Sequence, residues 1–248
     1  MIVKGAFEKA RFYIESHSKD SDLKFKKKKP GPCITISRET GAGADKVSEK
    51  LIEFFQNYSD RISAPWTVFD KNLIEKVLED HHLPQTLSQY FVEDKLSELK
   101  STVNELLGLH PNTWILVSKT SNTILQLAQI GNCVIVGRAG NIIASRLKNS
   151  FHVRLVAPIE NRIEHIMEIC DKSRPEAIEY IKKEDLARKN YLKKYFNKDV
   201  ADPLLYNMVI NTSPLGYNKA AEVIGNTILH NYLQFFYFDE EEVMIHNF

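Results

Sequence analysis

A short apolar run, Cys33-Ile34-Thr35-Ile36-Ser37, leads directly into Arg38-Glu39-Thr40-Gly41-Ala42-Gly43-Ala44-Asp45-Lys46. The run reads as a buried strand, and the residues from about Ala44 read as a helix. Strand, glycine-rich loop and helix in that order make a cradle for phosphate. Small residues let backbone N–H groups close around an anion, and the helix start adds free donors and partial positive charge. Gly41 and Gly43 supply the permissive backbone. The regular phosphate-loop spacing is G-x-x-x-x-G-K-[ST]. With Gly43 as its second glycine, Arg38 stands at the first glycine. Ala44 then replaces the lysine, and Asp45 replaces the Ser or Thr that meets magnesium. Taken alone, the two glycines also fit a tight strand-to-helix turn with no ligand.

Further arginines occupy strand ends and helix faces. Cys133 to Val136 is followed by Gly137-Arg138-Ala139-Gly140, which places an arginine beside the first loop if the two strands are neighbours. Val153-Arg154-Leu155-Val156 leads to Arg162 one helical turn into the next helix. Asp185 and Arg188, three apart, share a face of a long charged helix that also carries Lys189. A guanidinium binds phosphate bidentately. Each arginine alone reads as a surface charge or an ion pair, but together they read as a phosphate-collecting set.

The elements that must hold these residues alternate. Strands are expected at Cys33–Ser37, Trp66–Phe69, Cys133–Val136, Val153–Val156 and Met208–Ile210. Helices are expected at about Ala44–Phe55, Lys71–Asp80, Leu87–Leu107, Trp114–Ile130, Asn141–Leu147, Glu160–Cys170 and Glu176–Phe196. A closing helix carries Ala220, Val223, Ile224, Thr227 and Ile228. Near-continuous apolar strands separated by helices imply an α/β fold, a doubly wound five-stranded parallel sheet covered on both faces. Ligands in such sheets bind at the carboxyl ends of the strands.

The chain has 248 residues, 43% hydrophobic and 26% charged, a globular profile long enough for a full core. Its net charge of +1 gives no reason to expect nucleic acid. Cys33, Cys133 and Cys170 have no CxxC spacing and read as small buried thiols, with neither a disulfide framework nor a zinc site. The histidines lack metal-ligand spacing, and no protein metal site is expected. No apolar run reaches the length of a membrane span and the first residues lack a signal-peptide core, so a cytoplasmic location is expected. Residues 1–31 read as a short helix and a lysine-rich linker, Lys24 to Lys29, broken by Pro30-Gly31-Pro32. Residues 236–248 read as a tail that packs on its own domain, with self-association as the alternative.

Ile34-Thr-Ile-Ser-Arg-Glu-Thr-Gly-Ala-Gly43, Phe69-Asp70-Lys71, Val134-Ile-Val-Gly-Arg138, Val153-Arg-Leu-Val-Ala-Pro158, and Asp202-Pro-Leu-Leu-Tyr206 through Ile210-Asn-Thr212 together resemble the cytidylate kinase-like family. That family is a divergent branch of the nucleoside monophosphate kinases in the P-loop superfamily. The resemblance implies a domain over residues 32–235, with an acceptor insert at about 83–112 and a helical lid at about 172–204. It implies ATP and Mg2+, a small-molecule nucleotide partner, and transfer of the γ-phosphate of ATP to a nucleoside monophosphate or related acceptor.

The resemblance also implies roles. Ser37, Thr40, Gly41, Ala42, Gly43, Ala44, Asp45 and Lys46 would hold the donor phosphates. Asp70, Gly137 and Arg138 would hold the acceptor, and Arg38, Arg162 and Arg188 would serve phosphoryl transfer. Two departures stand out. Ala44-Asp45 occupies the place of a Gly-Arg pair, and Ala139 occupies the place of an aspartate after the arginine. These leave a second reading open, a nucleotide sensor or scaffold that keeps the fold with little or no turnover. A third treats the lysine run as a docking arm for membrane or RNA.

Overall fold

The computed structural model describes Tyr13 and residues 30–57, 66–70 and 111–232. The N-terminal helix, the lysine run, the helices expected at 71–80 and 87–107, nearly all of the acceptor insert, and the tail lie outside the described residues.

Five strands form one sheet: β1 (Cys33–Arg38), β2 (Thr67–Phe69), β3 (Cys133–Val136), β4 (Ser150–Val156) and β5 (Met208–Asn211). Their order is β2-β3-β1-β4-β5, and every pair is parallel. The doubly wound sheet expected from the alternation is therefore present, with β1 at its centre. Side chains two apart on a strand share a face. Ile34, Ile36, Val134, Val136, Val153 and Leu155 pack against helices α1 (Ala44–Asn57) and, at the far end of the chain, Tyr217–Asn231. Cys33, Cys133, Ile135 and Phe69 pack on the opposite face against α2 (Pro111–Ile130). Each such buried side chain stabilises the fold by roughly 1.5–3 kcal/mol. Tyr13 is fully buried on this second face, edge-on to Phe69 at 5.4 Å, and its hydroxyl donates to the Gly131 carbonyl.

Helix α3 (Gly140–Ile143) is a single turn rather than the longer helix expected to Leu147. It starts one residue earlier than expected, directly after three residues of positive φ, Gly137 (82°), Arg138 (51°) and Ala139 (59°), and it ends four residues early, at Ile143 with Ala144 as its C-cap. Strand β4 begins three residues earlier than expected. His152, one of the polar residues at its entrance, is satisfied inside the sheet: its Nδ1 lies 2.8 Å from Thr35 Oγ1, and its amide donates to Asn207 at 2.8 Å. Helix α4 (Ile159–Cys170) packs on α5 (Arg174–Phe196) through Ile163, Ile166, Ala177 and Ile181. The Ser173 amide and hydroxyl both donate to Glu176, fixing the start of α5. A short α6 (Thr212–Leu215) then precedes the closing helix, α7 (Tyr217–Asn231).

Cys33 and Cys133 are buried as expected. Cys170 is not. It is the last residue of α4 and is exposed, because the chain turns away there through Asp171 in the left-handed region. Among the described residues no helix is long and apolar enough to cross a membrane.

Candidate functional site

The loop after β1 is held open by glycine at two points. Gly41 has φ 84° and Gly43 φ 76°. A Cβ on Gly41 would lie 2.5 Å from the Arg162 carbonyl oxygen, and one on Gly43 would lie 2.1 Å from the Tyr217 ring. Ala42 is buried, and its carbonyl accepts the Thr212 hydroxyl at 3.0 Å. Both glycines are thus required by backbone conformation and by close neighbours.

The centre of the site is a carboxylate. Asp185 Oδ1 accepts the Thr40 amide at 2.8 Å and the Thr40 hydroxyl at 2.7 Å. Its Oδ2 takes Arg162 Nη1 at 2.6 Å. Arg188 donates to the Thr40 hydroxyl and approaches Asp185 Oδ1 at 3.1 Å. Burial raises the Asp185 carboxyl, but the Thr40 donors and Arg162 outweigh it and hold it below the usual carboxylate range. An anion therefore already sits on the loop, bracketed by two arginines from the helices above it. Arg162 also reaches the Thr40 carbonyl at 3.3 Å and lies 3.8 Å from Glu39, whose carboxylate accepts the Ala157 amide at 3.2 Å.

Arg38, the last residue of β1, lies over Gly137, where a Cβ would meet its Nη1 at 2.0 Å. Burial first, then Arg188 and Arg138, push the Arg38 guanidinium down to about 10, against the pull of Glu184 and Asp70. It remains a cation at neutral pH, within a gathering of cations. Parallel pairing of β1 with β3 brings the Gly137-Arg138 turn beside the loop, as the sequence required. The left-handed φ of Arg138 and Ala139, uncommon for residues with a Cβ, had no sequence signal.

A cavity of about 880 Å³ opens between the loop, α1, β2 and the α4–α5 pair. Arg38, Thr40, Gly41, Gly43, Ala44, Asp45, Asp70 and Arg188 line it. Arg162 reaches the same centre through Asp185. Of the remaining expected residues, Lys46 is exposed at the start of α1, and Ser37 turns toward β4. Asp45 lies 3.7 Å from His165, which holds its carboxyl below the usual range.

Sequence reasoning placed Asp185 beside Arg188 without seeing its contact with Thr40, 145 residues away. Arg154, buried on β4, donates to Ser37 Oγ at 3.2 Å and lies over the Tyr206 ring at 5.7 Å. A charge inside the apolar run Phe151 to Val156 was its signal in the sequence.

A parallel sheet with this strand order and a glycine loop after its central strand is the fold of the P-loop kinases. The profile of the cytidylate kinase-like family matches residues 33–214, well over half of the chain. The chain belongs to the cytidylate kinase-like family. It is similar to the crystal structure of an uncharacterized protein from Eubacterium ventriosum, at 21% identity and a TM-score of 0.58, over 79% of this chain and 98% of that one. That likeness concerns the fold alone. Shikimate kinase from Acinetobacter baumannii aligns at 14% identity over 83% and 97% of the two chains, with a TM-score of 0.42 too low to bear on the fold. A uronate isomerase from Corynebacterium glutamicum shares 24% identity over 99 residues, 40% of this chain. The chain spans 19% of the length of that curated relative. Family membership supports a nucleotide-binding, kinase-like protein.

Proposed function

We propose that the protein is a phosphotransferase that moves the γ-phosphate of ATP to a nucleoside monophosphate or a related small acceptor. The observation that carries this reading is the Asp185 carboxylate held by the Thr40 amide and hydroxyl between Arg162 and Arg188. Those donors match what a phosphoryl oxygen needs. In the reaction an acceptor phosphate oxygen attacks the γ-phosphorus as its bond to the β–γ bridging oxygen breaks, and ADP leaves. Phosphoryl transfer depends chiefly on placing two phosphates in line and compensating their charge.

In this reading the domain spans residues 32–235, and α5 lies within the lid. The loop from Ser37 to Lys46 holds the donor phosphates through its backbone. Arg162 and Arg188 release Asp185 and turn to the transferring group, and Arg38 supplies the charge that Ala44 lacks. Asp70, Gly137 and Arg138 hold and orient the acceptor. Among the described residues no three His, Cys, Asp or Glu side chains cluster as a metal site. Asp45, an exposed carboxylate that lines the larger cavity, would help to hold magnesium carried on nucleotide phosphates. Bound there, the ion would neutralise phosphate charge.

The test is ADP release from ATP and magnesium with CMP, dCMP, UMP, AMP and GMP, alongside thermal shifts with the same ligands. Acceptor-dependent ADP release is expected. Stabilisation by nucleotides without turnover would replace this reading with the nucleotide sensor. The Tyr217 ring against Gly43 favours that alternative. No response to any nucleotide would remove both.

A further inference from the structure

A second, smaller cavity of about 290 Å³ lies on the β4 side of Arg38. No loop glycine lines it. Four cations do, Arg38, Arg154, Arg188 and Lys189, against two acids, Glu39 and Asp185. Asp185 is already engaged by Thr40, Arg162 and Arg188, Arg188 also pairs with Glu184, and Glu39 accepts the Ala157 amide, which leaves Arg38, Arg154 and Lys189 facing the cavity. Positive charge is therefore in excess.

Arg154 is the unusual member. It is 8% exposed. Among the described residues no carboxylate lies within ion-pair distance of it. Its partners are neutral, the Ser37 hydroxyl and the face of Tyr206. Tyr206 is itself tied down, its hydroxyl donating to the Val200 carbonyl at 2.9 Å and lying 3.2 Å from Ser37 Oγ. A buried cation without a counter-charge is costly, and folded proteins keep one where a ligand supplies the missing anion. The seat is rigid and the guanidinium is presented to a cavity with three further cations. That volume suits a compact anionic group better than a whole nucleotide.

We propose that this cavity is an anion subsite apart from the glycine loop, with Arg154 as a binding residue for a phosphate-sized dianion. Resting on the phosphotransferase reading, that dianion is the phosphate of the acceptor. Arg154 grips it from the β4 side and Arg188 covers it from the lid.

The experiment titrates inorganic phosphate calorimetrically into the full chain saturated with ADP. Wild type, Arg154→Met and Arg154→Lys are compared, and ADP affinity is measured for each. The expected result is phosphate affinity lowered at least about ten-fold in R154M and less in R154K, with ADP affinity within two-fold of wild type. Equal phosphate affinity in wild type and R154M would overturn the subsite, as would absence of phosphate binding to wild type. A parallel loss of ADP affinity would also overturn it, since Arg154 would then only brace β1. Displacement of the phosphate by a nucleoside monophosphate but not by its nucleoside supports the acceptor assignment, and no displacement overturns that assignment. Turnover by wild type with an unchanged R154M sinks the subsite and leaves the kinase reading. Arg154-dependent phosphate binding by a protein that turns over no acceptor does the reverse.

Discussion

Two neighbouring rungs of the β1–β4 ladder make an instructive pair. Thr35 stands opposite His152, and Ser37 stands opposite Arg154, two residues nearer the carboxyl end. Each rung joins a hydroxyl residue to a basic side chain. The lower rung is closed: Thr35 Oγ1 and His152 Nδ1 are 2.8 Å apart, and burial pushes the imidazole down to about 4, so it is neutral. The upper rung is open: Ser37 and Arg154 are joined at 3.2 Å, and the guanidinium meets a cavity lined by other cations. A shift of two residues along one ladder separates a group that completes the core from one that awaits a ligand.

The largest expected effect lies above the open rung. Arg188→Ala removes a cation shared by both cavities and should lower kcat by about 10³-fold in the ADP-release assay, with thermal stability little changed. A large fall in stability with an unchanged rate would make that end of the sheet structural like the other and break the contrast.

The closed rung should report in stability instead. His152 has a folded value of about 4 against an ordinary 6.5. As pH falls below about 6.5 the unfolded chain takes up a proton that the folded chain refuses. Stability from this group is therefore complete above that value and lost progressively down to pH 4, amounting to about 3 kcal/mol. Denaturant unfolding between pH 4 and 7 should show this component in wild type and not in His152→Gln. An identical pH slope in both proteins would mean that His152 is not held neutral.

The smallest effect divides the open rung itself. Ser37→Ala removes one neutral acceptor from Arg154, and phosphate affinity should change by about five-fold or less, from roughly 1 kcal/mol for one hydrogen bond. A loss as large as that of Arg154→Met, in the same phosphate titration, would shift the binding role from the arginine to its seat.

Much of this was legible in the sequence. Alternation in Cys33–Arg38 and the apolar run Cys133–Val136 announce two buried strands, and Gly41 and Gly43 sit where φ is positive. What escaped were long-range partnerships and backbone choices without a residue signature. Asp185 reads as one acid on a charged helix until folding lays it on Thr40. Arg138 and Ala139 carry no left-handed preference, so the turn that leads into α3 was invisible. His152 concealed the start of β4, because a polar residue signals a strand only once its partner is known.

The exposed position of Cys170 has a practical side. The other two thiols, Cys33 and Cys133, are sealed in the sheet. A maleimide dye added to the folded protein would therefore attach at one place, on the wall of the larger cavity and just before the helix that carries Asp185 and Arg188. The molecule carries its own optical reporter position, and displacement of that helix from Thr40 could be followed by fluorescence without adding or removing a single residue.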